Sequence, residues 1–468
     1  MPRALVLGLD CAPPALVFDR FAGVMPCLSR LRREGAFGRL RSTEPPITMP
    51  AWASMASGRD PGELGLYGFR NRGEGYALTI STARDVKFKR VWDYVGEAGK
   101  KVAALYVPPS YPPPPVRGVS LGCFLTPDDA ERFAFPPRFQ RTLLERFGPH
   151  RPDVPGFRAD DLPRIEAELF ASTRHRFEVL RHVLAEEAPD LTFFVEMGPD
   201  RLHHAFFHHF DVDHPRFVPG NPFEDVGARY YAFLDAEIEA TLALVPEDTH
   251  VLVVSDHGAK PMLGGVAVNE LLVREGYLHL KEAPSGPAAL VPAMIDWSRT
   301  RAWAEGGYYA RVFLNVKGRE PEGIVATDEV EPLVAELTRL FESLPSPEGA
   351  PMKTSARRPR DRYRKTRGHP PDLMVYFDDL NRRALGKVGL GAIHLPSDDR
   401  GPDACNHDWD GIFIAKGPGF DGVGELRGPH LLDVFPTLLE VMGVSCPGGL
   451  AGRSLLRGAG AAMTMPDP

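Results

Sequence analysis

Cysteine is scarce in this chain of 468 residues: five, at Cys11, Cys27, Cys123, Cys405 and Cys446. The number is odd and no pair has metal-ligand or redox spacing. A disulfide framework and a cysteine-type zinc site are therefore not expected, and a reducing compartment, the cytoplasm, is. Long apolar runs are lacking too. Residues 4–9, directly after Met1-Pro2-Arg3, are too short for a signal core, and no run is long enough to cross a bilayer. Charge of one sign is not in excess. Lys+Arg 55 against Asp+Glu 62 leaves a formal charge of -7, which calls for neither nucleic acid nor a membrane as partner. What is plentiful is proline and glycine, 47 and 46 residues. Together they exceed the usual share of about 12%, so many residues must lie in turns and ordered loops.

Short apolar runs alternate with helical patterns. Residues 4–9, 102–107, 191–197, 251–255, 311–316, 373–377 and 411–415 read as strands. Residues 27–33, 91–98, 161–188, 230–244 and 431–442 read as helices. The alternation predicts an α/β fold, a mostly parallel central sheet with helices on both faces. One catalytic domain would span 1–455, with insertions at 108–155 and 260–400 and a C-terminal tail at 456–468. The stretch 353–367 carries Lys353, Arg357, Arg358, Arg360, Arg362, Arg364, Lys365 and Arg367. It reads as a solvated loop or as a basic flap beside an anionic substrate.

Three apolar strands each end near an acid: Asp10, Asp200 and Asp256. In open parallel sheets the ligand site lies beyond the carboxyl ends of the strands. Histidine is unevenly spread, five of fifteen falling at His203, His204, His208, His209 and His214. Asp200 and His204 are four apart, so at a helix start they share a face and can grip one ion. Asp256 and His257 sit in a tight SDHG turn, and His407 is a further, exposed candidate. Asp with His suits zinc, with manganese as the alternative. His208 is the competing ligand; His203, His209 and His214 read as neighbours or surface groups. Cys11 and Cys405 read as small buried residues. Lys260 is either a phosphate contact or an exposed loop lysine.

Thr48 lies between Pro45-Pro46 and Pro50. The following residues start a helix, whose N-terminal amides favour an anion. A threonine hydroxyl is a poor nucleophile until a metal or base stabilises its alkoxide. A hydroxyl on a rigid turn near hard metal ligands is the arrangement phosphoryl transfer needs.

The order of these pieces resembles the alkaline phosphatase superfamily, most closely its branch of type I phosphodiesterases and nucleotide pyrophosphatases. The resemblance runs through Leu5 to Asp10, PPITMPAW, SGRDPGELGLYGF, GPDRLHH, VVSDHG, NHDWDGIFIAKGPG and DVFPTLL. It implies two divalent metal ions, zinc first. Asp200, His204 and His407 would hold one; Asp10, Asp256 and His257 the other, with Thr48 bridging to it as nucleophile. It implies a hydrolase of phosphate esters acting through a phospho-threonine intermediate on a phosphorylated small molecule. The alternatives are a phosphomonoesterase or a phosphoglycerate mutase-like enzyme of the same superfamily, or an inactive metal-binding scaffold. Two places depart from the family pattern. Leu64 stands where a histidine is common, and Phe69 where the diesterases place a phosphate-binding asparagine. Arg70 and Asn71, just beyond, are candidates to replace that contact. Substrate identity and oligomeric state are not implied.

Overall fold

The computed structural model describes residues 3–398 and 401–456. The tail expected at 456–468 lies, apart from Leu456, outside the described residues. Nine strands form the central sheet: β1 (Ala4–Leu9), β2 (Ala36–Arg41), β3 (Val102–Leu105), β4 (Gly118–Leu121), β5 (Ala134–Phe135), β6 (Leu191–Glu196), β7 (His250–Val254), β8 (Asp410–Lys416) and β9 (Gly424–Glu425). Their spatial order is β9-β2-β8-β7-β1-β6-β3-β4-β5. The centre is parallel: β1 pairs with β6 and β7, and β3 with β6 and β4. Antiparallel pairs lie outside it, where β8 meets β7 and β2 and where β5 meets β4.

The period of two along a strand divides the core. Leu5, Leu7 and Leu9 of β1 face one apolar cluster, and Ala4 and Val6 face another. The first is covered by helices Pro26–Glu34, Leu162–His182, Gly198–Phe210 and Val226–Leu242, the second by Thr48–Ser57, Val91–Glu97 and Val434–Val441. A strand buried on both faces reads as a continuous apolar run, which is why 4–9, 191–196 and 250–254 are so legible in the sequence. Gly8 is required by packing. A Cβ there would stand 2.5 Å from the Trp52 ring and 2.9 Å from Val195. Its absence lets the Trp52 ring approach β1 closely.

Within 108–155, Gly118–Leu121 and Ala134–Phe135 extend the sheet edge as β4 and β5. Within 260–400 a smaller lobe forms. It has a four-stranded antiparallel sheet in the order Ala302–Glu305, Ala310–Leu314, Leu373–Tyr376, Ser355–Arg357, backed by helix Val330–Glu342 and a core of its own. The chain leaves the main sheet along Gly258–Pro261 and returns along Cys405–Asp408. These two strands pair antiparallel, Ala259 opposite His407. Among the described residues no helix is long and apolar enough to cross a membrane.

Candidate active site

Neighbouring strands deliver the acids. Asp10 follows β1, Asp256 and His257 follow β7, and Asp200 occupies the first turn of the helix after β6. Because β6, β1 and β7 are adjacent, the three carboxylates converge above their carboxyl ends. Asp200 and His204 lie on one face of helix Gly198–Phe210, which Pro199 starts without loss, since the first-turn amides need no intrahelical partner. The paired neck strands bring His407 to the same place. Asp10, Asp256 and His257 offer ligand atoms within 4.8 Å of one another, as do Asp200, His204 and His407. The His257 and His407 rings stack with centroids 3.7 Å apart, so the two groups adjoin. Thr48 opens helix Thr48–Ser57, and its Oγ1 lies 3.2 Å from His257 Nε2. His407, read from sequence as exposed, is fully buried, because the neck pairing folds its strand beneath the second lobe.

Each imidazole is oriented from behind. His204 Nδ1 meets Asp403 Oδ1 at 2.8 Å, His257 Nδ1 donates to the Gly258 carbonyl at 3.1 Å, and His407 Nδ1 donates to the Pro46 carbonyl at 3.0 Å. All three therefore turn Nε2 inward. Asp10 Oδ2 accepts from Trp52 Nε1 at 2.6 Å, Asp256 Oδ1 accepts from the Cys11 amide at 3.2 Å, and Asp200 Oδ2 pairs with Arg201. The inward atoms Asp10 Oδ1, Asp200 Oδ1, Asp256 Oδ2 and His407 Nε2 are buried with no hydrogen bond. Such orphans are rare and costly.

Charge deepens the conflict. Burial, then the charge of Asp200, pushes the Asp10 carboxyl well above the carboxylate range. Burial and Asp10 do the same to Asp256. Burial also opposes ionisation of Asp200, but His204 and Arg201 outweigh it and hold that carboxyl low. Burial and the neighbouring His407 keep His257 well below its ordinary value, and burial pulls His407 down to about 4 despite Asp200. Burial opposes the charge on His204, but Asp403 outweighs it and holds that imidazole well above its ordinary value. Neutral imidazoles at His257 and His407 and crowded carboxylates, with lone pairs aimed into one buried space, form a donor set that fits divalent cations, and a cation there would take the place of the proton on His204.

Several participants carried no sequence signal. Asp403 anchors His204, Arg158 (2.8 Å) and Arg383 (2.9 Å) while fully buried. Tyr308 comes from the turn between Ala302–Glu305 and Ala310–Leu314. Its ring stacks on His407 at 3.6 Å and its hydroxyl lies 3.2 Å from His204 Nε2. The Cys11 and Cys405 thiols are buried, as small residues would be, yet each lies within ligating distance of a site histidine. Trp52 did have a signal: it is four residues beyond Thr48, on the same helix face.

Other candidates are engaged elsewhere. The Asn71 amide is spent inside its own turn, accepting from the Tyr67 amide and donating to the Gly68 carbonyl and Ser81 Oγ. Lys260 Nζ is tied to the Asp379 carbonyl at 2.8 Å and to Asp408 at 3.1 Å. His208 packs against His209, and His203 meets the Tyr231 hydroxyl at 3.1 Å. Leu64 is buried with Ala53, Leu66 and Val86, an apolar setting. Four arginines of the basic stretch are held in ion pairs within the protein. Arg357 and Arg362 grip Glu44, while Arg358 and Arg360 grip Glu331. Beside Thr48 opens a cleft of about 280 Å³, walled by Phe69, Phe124 and Tyr308 and by Arg70, Arg158 and Arg201 among others. Arg70 is exposed on its rim.

The sequence model of the family described as "Type I phosphodiesterase / nucleotide pyrophosphatase" matches residues 4–394. No curated protein matches the chain in sequence. Among solved structures it is similar to human ectonucleotide pyrophosphatase / phosphodiesterase 5, at 11% identity and TM-score 0.58, over 96% of this chain and 97% of that one. The murine protein of the same name is similar at 12% identity and TM-score 0.57, over 96% and 97%. So is an inactive threonine-to-alanine variant of the murine protein in complex with AMP, at 12% and 0.57, over 96% and 98%. At this identity the likeness to the solved structures is one of fold.

Proposed function

The chain belongs to the type I phosphodiesterase / nucleotide pyrophosphatase family, a family of phosphoric ester hydrolases, and on that premise we propose that it cleaves a nucleotide-type phosphodiester or pyrophosphate with Thr48 as nucleophile. Two divalent cations, zinc first and manganese as the alternative, would be held by Asp200, His204 and His407 and by Asp10, Asp256 and His257. Bound there, they would supply Lewis-acid stabilisation of phosphoryl charge and lower the pKa of an oxygen nucleophile. The observation that carries this reading is the set of four orphaned, buried, inward-facing atoms on Asp10, Asp200, Asp256 and His407. Inactivation of the murine neighbour by a threonine-to-alanine change supports the part given to Thr48.

The residues divide the work. Thr48 Oγ1 gives up its proton to solvent and attacks phosphorus in line, the bond from phosphorus to the leaving ester oxygen breaks, that oxygen takes a proton from water, and the phosphoryl group rests on Thr48. Water then hydrolyses that ester and restores the hydroxyl. The first-turn amides of the ten-residue helix that Thr48 opens face the anion. Burial holds His257 neutral and its Nδ1 proton is committed to the Gly258 carbonyl, so its Nε2 lone pair faces Thr48 Oγ1 at 3.2 Å. Tyr308 and the arginines of the cleft orient the phosphate and exclude water. A cytoplasmic location is part of the same proposal, supported by five scattered, unpaired cysteines.

The test is turnover of bis-p-nitrophenyl phosphate and p-nitrophenyl phosphate by metal-reconstituted protein, beside Thr48→Ala. The expected outcome is diester cleavage that chelator abolishes. Thr48→Ala should lose it while metal content, measured by plasma mass spectrometry, is retained. Turnover in Thr48→Ala equal to wild type would remove the covalent mechanism.

A further inference from the structure

The two groups of candidate ligands are built alike, and the likeness exposes one further donor. Zinc bonded to nitrogen and oxygen at about 2.0–2.1 Å in a tetrahedron sets its donors about 3.3–3.4 Å apart. Around His257 the donors already stand near that spacing. Its Nε2 lies 3.2 Å from Asp256 Oδ2, 3.6 Å from Asp10 Oδ1 and 3.2 Å from Thr48 Oγ1. That group therefore has two carboxylates, an imidazole and a hydroxyl. The group around His204 has one member fewer. His204 Nε2 lies 3.3 Å from Asp200 Oδ1, and His407 Nε2 lies 3.5 Å from the same oxygen. The Tyr308 hydroxyl stands where the fourth corner is missing, 3.2 Å from His204 Nε2. Here too a hydroxyl completes the set.

Tyr308 is held in place by the residues that hold its neighbours. Its ring stacks on His407 at 3.6 Å and 25°. The Arg383 guanidinium lies over that ring at 4.4 Å, and Arg158 Nη2 reaches the hydroxyl at 3.4 Å. Both arginines pair with Asp403, the same carboxylate that orients His204. The Tyr308 carbonyl accepts from Asn406 Nδ2 at 3.2 Å, one residue before His407. A ring alone would suffice to wall the cleft. The placement of the hydroxyl against the inward nitrogen of His204 is accounted for by ligation.

We propose that Tyr308 is a fourth ligand of the ion held by Asp200, His204 and His407, delivered by the smaller lobe across the cleft. The proposal rests on the two-ion reading above and adds a residue to it. The phenol proton leaves to solvent as the ion binds, since a ligand must give up its proton to bond a cation. The site is then assembled from three parts of the fold. Asp200 and His204 come from the helix after β6, His407 from the neck and Tyr308 from the smaller lobe, so a bound ion ties that lobe to the main sheet.

The test titrates chelator-stripped protein with cupric ion and reads the visible charge-transfer band that a phenolate gives when bound to copper. Wild type should show the band, and Tyr308→Phe should lack it while still binding copper. Other nearby phenols are engaged elsewhere: Tyr230 with Thr173, Tyr231 with His203 and Tyr309 with the Tyr67 carbonyl. Phenylalanine keeps the ring on His407, so the two stripped proteins should melt alike. In a competitive chelator titration with zinc, the variant should lose about 10- to 100-fold in affinity at one site and none at the other. A tyrosine that only walls the cleft or touches the phosphate gives neither result. No band in wild type, the same band in both proteins, or equal zinc affinity overturns the proposal. None of these readouts uses turnover. The band without ester cleavage would leave Tyr308 a ligand and overturn the phosphodiesterase reading; cleavage without the band would do the reverse.

Discussion

Replacing Glu44 by glutamine should slow catalysis far more than it weakens the fold. Glu44 lies four residues before Thr48, and three groups of the smaller lobe converge on it. Arg357 Nη1 reaches Oε1 at 2.8 Å. Arg362 reaches Oε1 at 2.5 Å and Oε2 at 3.2 Å. The Tyr363 hydroxyl donates to the Glu44 carbonyl at 2.5 Å. The basic stretch thus staples the turn that carries Thr48. Charge-assisted hydrogen bonds contribute about 1.5–3 kcal/mol each when shielded. Here Glu44 is 14% exposed but Arg357 and Arg362 are 27% and 34% exposed, so about 1 kcal/mol per arginine is the better figure. Glutamine keeps the shape and one acceptor oxygen, and the Tyr363 bond to the main chain survives. The stability cost should be about 1–2 kcal/mol, a few degrees of melting temperature at most. Catalysis has more leverage, since about 1 Å of misplacement at a reacting atom costs about 100-fold. We expect kcat on a p-nitrophenyl diester to fall about 10- to 100-fold with KM little changed. The assay is steady-state kinetics beside thermal melting and metal content. A kcat within twofold of wild type, at the same loss of melting temperature, would refute the staple. A fall in kcat that tracks loss of metal would move the effect from Thr48 to the ions.

Trp52→Phe removes the indole N–H that orients Asp10 while keeping an aromatic ring on β1; metal affinity should drop about 10- to 100-fold, and unchanged affinity in a competitive chelator titration would dismiss the contact. Asp403→Asn leaves the buried Arg383 and half-buried Arg158 short of a counter-charge and frees His204. Urea melts should show a loss of about 3–5 kcal/mol, and a loss below about 1 kcal/mol would mean that Asp398 alone satisfies Arg383. His150 stacks on Phe133 at 4.7 Å, and burial, with Arg176 nearby, pulls it from 6.5 to about 3. The unfolded chain takes up this proton near pH 6.5 while the folded one stays neutral. Its contribution is therefore intact above pH 6.5 and lost as pH falls towards 3, by about 2 kcal/mol at pH 5. His150→Phe should flatten that part of the stability–pH curve, and an unchanged slope between pH 7 and 5 would assign the acid sensitivity to other groups.

The reach of sequence reasoning followed the range of the interaction. Residues 4–9, 191–196 and 250–254 announced themselves because a strand buried on both faces has to be apolar throughout. Asp200 and His204 could be paired because four residues is one helical turn. Asp10 and Asp256 could be placed because ligand sites gather at the carboxyl ends of parallel strands. Arg70 and Asn71 were offered on position alone. Asn71 turns inward because its short side chain satisfies the turn that carries it, and nothing local predicts that.

By itself, then, the sequence determined the α/β layering, the strand ends that hold acids, the threonine on a proline-braced turn and the family to which those pieces belong. Tertiary structure decided the rest. The neck register of Ala259 against His407 buries a histidine that looked exposed and stacks it on His257. The smaller lobe turns a run of arginines from a loop into a clamp on Glu44, and supplies Tyr308. The physical reason is one of range. Helical and strand periodicities act over a few residues, and the apolar pattern records them. The pairing of segments separated by a whole lobe is chosen by packing and hydrogen bonding that no local pattern carries.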